Sequence, residues 1–551
     1  MEGTQMGIDV NNLIGRRADN RWDRVSVSDM VERLTWSVPD RAALIGWPGA
    51  FADDRYARLT YRQLNDVVNQ VAQALLARGL QQGDRIVMVC ENSVEGYAFK
   101  LGAARAGLVV SPMNPAMAPD VVAHLIARVE PKFAVVDTEL WPGVEGAFAE
   151  AGLAVDVMIE IGGSAVGSSV SFFDFVEAQP TDEPDVTIHG DDIWEILFTS
   201  GTTAMPKAVM ISHSSSTFAA YGFALTLTRG LRHEGDLRLG TFLPMMYHIG
   251  HNIFALAAFA CGGSIVMGRR PDPAAIAEAS EREGLTALWC GSPAMVEGLL
   301  VAATTGDRDI SSLTVGVFGW AAVPPPVLDG LRKLAPALDL VEIFGQTESI
   351  SCHRFWPDEW DELYRATAPR QNYVGAPSPL LASRVVDAEG KSLEGQPGVA
   401  GEAVYRSPVM AAGYYRDEEA TRLAFRDGWF HSGDSCVYDE RGLRVMVDRF
   451  KDIVKTGGEN VSTIRVESVL ALHPGVVKAA VIGVPHDKWG EEVTAIVVLT
   501  EPDSVEAAEL IAFARERLAG FETPKSVVFV ETLPETVGGK VMKYKLREQF
   551  A

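Results

Sequence analysis

From about residue 60 onward, apolar and polar positions switch between two periods. Residues 61–78 set apolar side chains at helical spacing, and a Gly83-Asp84 turn then opens the run Arg85-Ile-Val-Met-Val-Cys90. A helical stretch at 98–106 leads to Leu108-Val-Val-Ser111, and another at 121–129 leads to Phe133-Ala-Val-Val136. Short β-rich runs bounded by turn residues and separated by amphipathic segments predict parallel strand–helix units. The rhythm returns in the runs at 263–267, 286–290, 314–318 and 340–343. From Gly375 it gives way to shorter β-rich pieces with frequent Gly and Pro, such as Gly401-Glu-Ala-Val-Tyr405. After Asp448-Arg-Phe-Lys451 the pattern changes again, with strand-like runs at 477–484, 494–499 and 526–529 around a helical 505–518. The expected architecture is a large N-terminal α/β region followed by a small, lid-like α+β unit.

Length and composition narrow the function. A chain of 551 residues has material for more than one domain. Hydrophobic residues make up 47% and charged residues 22%, a globular profile. Lys plus Arg number 49 against 73 Asp plus Glu, a formal net charge of −24. Such a chain is repelled by phosphate backbones and anionic bilayers, which argues against nucleic acid or a membrane surface as partner. An anionic substrate must be met by local cations and aimed backbone dipoles. The five cysteines (Cys90, Cys261, Cys290, Cys352, Cys436) lie far apart without a CxxC pair. That excludes the usual zinc spacings and a dense disulfide framework, and suits a reducing compartment. Residues 1–20 are polar, and the longest apolar stretch, 253–267, is broken at Gly262-Gly-Ser264, short of the ~20 residues of a membrane helix. The expectation is a soluble, cytoplasmic protein with no membrane span.

Five stretches carry candidate chemistry. In Leu197-Phe-Thr-Ser-Gly-Thr-Thr-Ala-Met-Pro-Lys207 an apolar run delivers the chain into small and hydroxylated residues closed by a lysine. Small residues let backbone N–H groups crowd round phosphate oxygens, hydroxyls add donors, and lysine adds a point charge. The plain alternative is a Ser/Thr-rich surface turn. A Walker A loop is ruled out, because Pro206 precedes Lys207 and Ala208 follows it. Glu342-Ile-Phe-Gly-Gln-Thr-Glu348 puts a hydroxyl beside a carboxylate at a strand end, suited to phosphate contact and Mg²⁺ ligation. Gly428-Trp-Phe-His-Ser-Gly-Asp434 offers an Asp to a ribose diol. The last two are a basic, glycine-rich connector, Asp448 to Asn460, and Pro534-Glu-Thr-Val-Gly-Gly-Lys540 near the C-terminus.

Together and in this order, the five stretches resemble the adenylate-forming superfamily of acyl-CoA and aryl-CoA synthetases, adenylation domains and luciferase-like enzymes. The resemblance runs from Val25 to Arg547. It implies a large N-terminal multi-sheet α/β domain (1–447), a hinge (448–451) and a small mobile α+β C-terminal domain (452–551). It also implies a reaction: a carboxylate attacks the α-phosphate of ATP, pyrophosphate leaves, and a thiol, usually of CoA, displaces AMP. Carried over, Thr199, Ser200, Gly201, Thr202, Thr203 and Lys207 would hold the outer phosphates. Phe344 would face the adenine, with Ala321 and Ala322 on its other side and Glu342 beside it. Thr347 would touch the α-phosphate, Glu348 would bind Mg²⁺, and Asp434 with Arg449 would hold the ribose. Lys540 matches the catalytic lysine bridging carboxylate and α-phosphate; otherwise it is one lysine of a basic tail. Lys455, Gly457 and Gly458 would meet the incoming thiol arm, or form an ordinary turn.

Several positions depart from the family pattern. Ala204 and Ala208 replace two frequent glycines, so the loop must take negative φ there or carry strain. Thr463 and Arg465 stand where Pro and Glu are usual. The acid pocket is expected between Pro244-Met-Met-Tyr-His248 and Phe318-Gly-Trp-Ala-Ala-Val323, with Gly345 at its edge. His248 would gate or contact the carboxylate, or is a core histidine. Met245, Met246, Tyr247, Phe254 and Trp320 would form an apolar wall, and Trp320 would plug the tunnel unless it points into the core. The expectation is a short, branched or aromatic carboxylic acid activated with ATP and Mg²⁺ and passed to CoA. Two alternatives stay open: transfer to another nucleophile (a carrier-protein thiol, an amine or nitrite), and a sensor that kept the fold and lost the chemistry. A carrier protein or a second copy of the chain stays open as partner.

Overall fold

The structure, a computed structural model, describes residues 25–114, 117, 119–199, 206–228, 237–245, 249–319, 321–350, 352–368, 371–502, 504–535 and 541–550. Two large sheets and one small one organise them. In the first sheet, strands Arg85–Val89, Val109–Pro112, Phe133–Asp137 and Val157–Ile159 run parallel. Ile193–Phe198 joins them in parallel and then pairs antiparallel with Ala208–Ser212. The parallel strands read as nearly unbroken apolar runs because both faces are covered, as the burial of all five residues of Phe133–Asp137 shows.

The second sheet has a parallel half and an antiparallel half. Ala42–Gly46, Ser264–Met267, Arg238–Thr241, Ala287–Gly291, Val315–Gly319 and Asp339–Gly345 run side by side. Cys352–Phe355 and Asn372–Pro377 then reverse direction, and the sheet continues through Arg444–Arg449, Trp429–Tyr438 and Gly401–Arg406. The candidate motif at 342–348 begins on the last parallel strand, at this changeover.

One continuous core fills the space between the two sheets, taking Ile86 and Met88 from the first and Val317 and Val341 from the second. Helices Tyr61–Ala77, Val94–Arg105 and His213–Leu227 lie within it. The first begins as its sequence requires: Thr60 Oγ1 accepts the Gln63 N–H at 3.3 Å and the Gln63 side chain accepts the Thr60 N–H at 2.9 Å. A seven-residue π-turn, Ile249–Ala255, interrupts the apolar stretch 253–267 at its start. Its backbone presses so closely on the preceding segment that a Cβ on Gly250 would lie 2.3 Å from the Pro244 carbonyl oxygen. A third sheet, built from Val454–Thr456, Glu459–Val461, Val476–His486, Gly490–Leu499 and Ser526–Phe529, forms the C-terminal unit. Helices Thr463–Leu470 and Ala507–Arg515 cover it, with Lys543–Phe550 packed against Val476–His486. Among the described residues, no helix is long and apolar enough to cross a membrane.

Candidate active site

Hydrogen bonds gather several distant pieces of chain into one site. Strand Ile193–Phe198 ends at Thr199, whose N–H donates to the Lys207 carbonyl at 3.0 Å, while its Oγ1 accepts the Lys207 N–H at 3.0 Å. This pair closes the base of the candidate phosphate loop. Ala208 lies in the returning strand opposite Phe198 and is not among the residues with positive φ, so alanine there is unstrained. Ser200, Gly201, Thr202, Thr203 and Ala204 lie outside the described residues, as do Met246, Tyr247, His248, Trp320 and Lys540.

Tyr414, not singled out from the sequence, links the two strongest motifs. Its strand pairs antiparallel with the one after Lys207, in register with Val209. The Lys207 ammonium lies 4.5 Å from the centre of its ring, and its hydroxyl donates to Glu348 Oε1 at 2.8 Å. The Ala411 N–H donates to the Glu348 carbonyl at 2.8 Å, fixing the same segment to the same turn. Just beyond, Ile350 adopts φ 47°, a left-handed conformation rare for a β-branched residue. Its fully buried side chain, packed with Leu197, Val209 and Tyr414, holds it there. The Glu348 carboxylate is 9% exposed, with Oε1 engaged by Tyr414. A carboxylate so placed, next in sequence to a half-buried Thr347, suits a hard divalent cation carrying phosphate oxygens.

Gln346 was also unmarked by the sequence. Its amide donates to the Ser432 carbonyl at 3.1 Å and to Asp434 Oδ2 at 2.5 Å. Asp434 stands opposite Arg449 across neighbouring strands, 3.3 Å from the guanidinium Nε, and is 1% exposed. A carboxylate held within strand Trp429–Tyr438 by a cation at the end of the neighbouring strand and by an amide is an acceptor suited to a diol. Phe344 is half-buried, its ring centre 6.3 Å from that of His353. Burial and the Arg444 guanidinium, which donates to His353 Nε2 at 2.8 Å, push that imidazole well below the usual histidine range. Ala322 is buried and Ala321 exposed, and Gly345 is exposed at the lip.

Glu342 faces the same side as Phe318 and Phe355, its partners on the flanking strands. It is 2% exposed, its Oε2 has no hydrogen-bond partner among the described residues, and burial alone pushes it up to about 8. Two residues before Phe344 on the same strand, Glu342 shares its face, so the orphaned oxygen lies on the Phe344 side of the sheet. The unfolded chain releases this proton near the ordinary glutamate value, so between there and about pH 8 only the folded protein holds it. Stability therefore falls as pH rises through that window. Glu342→Gln should remove the penalty and melt above the parent at pH 9, with little difference at pH 5. Parallel melting curves for the two proteins from pH 5 to 9 would contradict this.

The remaining expected residues among those described lie in the core or in the C-terminal unit. Met245 is buried, its N–H donating to Asn92 Oδ1 at 2.7 Å. Phe254 is also fully buried. Its ring stacks on Trp289 at 4.7 Å and meets Phe223 edge-on at 5.1 Å, two residues that no motif marked. Lys455 is exposed, and Gly457 and Gly458, at φ 59° and 89°, form the two-residue turn between Val454–Thr456 and Glu459–Val461. Such a hairpin turn needs positive φ at both positions, which accounts for both glycines. Thr463 shows why proline is absent there. Its N–H and hydroxyl both donate to Asp448 Oδ2, at 2.6 and 2.7 Å, and proline offers neither. Arg465 pairs with Glu522 at 2.8 Å. Asp452, just after the expected hinge 448–451, pairs with Arg547 of the last helix at 2.8 Å, and burial with the flanking Arg449 push Lys451 down to about 8.

The Ser/Thr loop at a strand end, the Thr-Glu turn and the Asp–Arg pair are the motifs that carry the resemblance to adenylate-forming enzymes. A family model for the AMP-binding enzymes matches residues 34–415, and one for the AMP-binding enzyme C-terminal domain matches 465–540. The chain belongs to the AMP-binding enzyme family. It is 32% identical over 532 residues to 4-hydroxybutyrate–CoA ligase 2 of Metallosphaera sedula, covering 94% of this chain and 93% of that one. It is 30% identical to a feruloyl-CoA synthase of an Amycolatopsis species, over 89% of this chain and 94% of the relative. The crystal structure of ATP-bound MatB from Rhodopseudomonas palustris is similar with a TM-score of 0.79 at 30% identity, covering 95% of this chain and 98% of that one. The protein is an AMP-forming enzyme of the acyl-CoA synthetase type.

Proposed function

We propose that this enzyme joins a short, branched or aromatic carboxylic acid to AMP and then to CoA. The observation that carries the reading is the Lys207–Tyr414–Glu348 chain, which sets a phosphate-binding cation and a metal-binding carboxylate on one phenol. Lys207, Thr199 and the loop after it hold the outer phosphates, and Thr347 meets the α-phosphate. Phe344, Ala321, Ala322 and Glu342 hold the adenine, and Asp434 with Arg449 the ribose. Glu348 would hold Mg²⁺, whose charge would offset that of the phosphates. A carboxylate oxygen bonds to the α-phosphorus as the bond to pyrophosphate breaks. The thiol sulfur then bonds to the acyl carbon, AMP leaves, and the thiol proton passes to solvent. Lys540 serves the first step, and Lys455 with the Gly457-Gly458 turn receives the thiol arm in the second, the domain 452–551 turning about 448–451.

The acid's size is read from the Phe254–Trp289–Phe223 block. Three packed rings at the expected acid pocket take up room that a long chain would need, which supports a short or flat acid. Phe254→Ala should raise activity on an acid four methylenes longer relative to a short one by about 200-fold, each buried methylene being worth about 0.8 kcal/mol. It should also cost about 3–5 kcal/mol of stability. No change in chain-length preference in a folded variant would remove the block from the pocket. The reaction itself is tested by pyrophosphate release over short, aryl and long acids with mass analysis of the product. Acid-dependent release without CoA consumption would favour another nucleophile.

A further inference from the structure

Beneath the phosphate-loop strand lies a charge pair that the reaction does not use. Lys100, on the wholly buried helix Val94–Arg105, is ion-paired with Glu195 of strand Ile193–Phe198, and both side chains are 0% exposed. Asn252 of the π-turn donates from Nδ2 to Glu195 Oε2 at 3.0 Å. The neighbouring His251 shares a 2.9 Å hydrogen bond between Nδ1 and the Tyr97 hydroxyl, and its ring lies 4.8 Å from that of Trp194. The Lys100 ammonium is 5.5 Å from the Trp194 ring centre. Burial pushes Lys100 below and Glu195 above their ordinary values, and their mutual attraction opposes both shifts.

Stability does not explain this arrangement. Apolar residues of similar volume in place of a buried ion pair usually leave a protein as stable or more so, whereas a directional polar contact fixes one relative placement of its elements. The elements joined here are informative. Four residues after Glu195 the strand reaches Thr199 and the base of the phosphate loop. Two residues after Asn252 the π-turn presents Phe254 to Trp289 and Phe223, and its start follows directly on the segment with Met245 and His248. A π-turn carries an extra residue per turn and has weaker intrinsic preference for one phase than an α-helix, so a side-chain anchor has something to set.

We propose that Glu195, held in place by Lys100, is a positioning residue that sets the π-turn bearing the acid-pocket wall relative to the strand bearing the phosphate loop. This rests on the acid-activating reading of the site. The carboxylate grips Asn252, the ammonium keeps the carboxylate aimed, and the two substrate halves are thereby registered for in-line attack.

Two double variants separate positioning from packing. Lys100→Met/Glu195→Gln keeps an acceptor for Asn252 without buried charge, and Lys100→Met/Glu195→Leu removes it. Both should fold, the Gln double melting close to the parent and the Leu double lower, because it leaves the buried Asn252 amide without an acceptor. The Gln double should keep the KM for acid within about threefold, whereas the Leu double should raise it about tenfold or more, with the KM for ATP moving less. Amides of 249–255 should exchange with deuterium faster in the Leu double than in the Gln double. Asn252→Leu, which leaves the ion pair intact, should reproduce the Leu double and stands in for it if that variant does not fold. Equal acid KM values and equal exchange in the Gln and Leu variants would overturn the proposal. Should the unmodified protein activate no acid, the reaction reading fails, and the exchange comparison still decides whether Glu195 sets the π-turn.

Discussion

Glu348→Gln should lower acid-dependent pyrophosphate release by about 10²–10³-fold, with the Mg²⁺ concentration for half-maximal rate raised about tenfold or more. The substitution keeps side-chain size and an oxygen able to accept the Tyr414 hydroxyl, so the turn and the strand against it stay in place. It removes the charge. If Glu348 only anchors Tyr414, the amide serves as well, and rate and Mg²⁺ dependence stay near those of the parent. Tyr414→Phe gives the complementary result: the charge and the ring against Lys207 stay, only the hydroxyl's bond to Glu348 is lost, and the loss should be smaller. A Mg²⁺ titration of both variants at saturating acid and ATP distinguishes these outcomes.

Lys540→Ala should cost about 10³-fold in adenylate formation while ATP binding changes by no more than a few-fold. A cation over the α-phosphate meets charge that builds during attack, so its removal acts on the barrier more than on ground-state affinity. Conversion of a supplied acyl-adenylate to thioester should proceed at close to the parent rate, since that step breaks the bond to AMP without needing the same cation. Lys540 lies outside the described residues, so its assignment rests on the Gly-Gly-Lys motif and the family match, which ends at residue 540. Loss of ATP binding together with turnover would make it a binding residue instead.

Hydrophobic periodicity carried much of the scaffold. The runs at 85–90, 133–136, 286–290 and 340–343 fall on strands because parallel strands buried on both faces need unbroken apolar sequence. The stretch at 98–106 is a helix that begins earlier, at Val94, where Ser93 Oγ accepts the Gly96 N–H at 3.1 Å; the spacing marked its apolar positions and passed over its cap. Helix His213–Leu227 and the π-turn went unmarked. The helix is apolar on nearly every face, which blurs a 3.6-residue period, and the i→i+5 pattern of a π-turn has no period of its own in so short a piece.

The site divides along the same line. Lys207, Glu348 and Asp434 were legible because each sits in a local motif whose composition is chemical. Tyr414 and Gln346 were not, since each acquires its part from a partner more than sixty residues away that only strand pairing brings near. Trp289 and Phe223 reach Phe254 across the core in the same way. Thr463 shows the reverse case. Its departure from the family pattern was visible in the sequence, but the reason, two donors aimed at Asp448, required the fold.

Exchange of labelled pyrophosphate into ATP, followed with and without a panel of short, aryl and long carboxylic acids, addresses the central claim most directly. Label should enter ATP only when an acid is present, and the acids that support exchange should be the short or aromatic ones. Exchange at the same rate with no acid, or none with any acid under conditions where ATP binds, would show that this chain does not join AMP to a carboxylate.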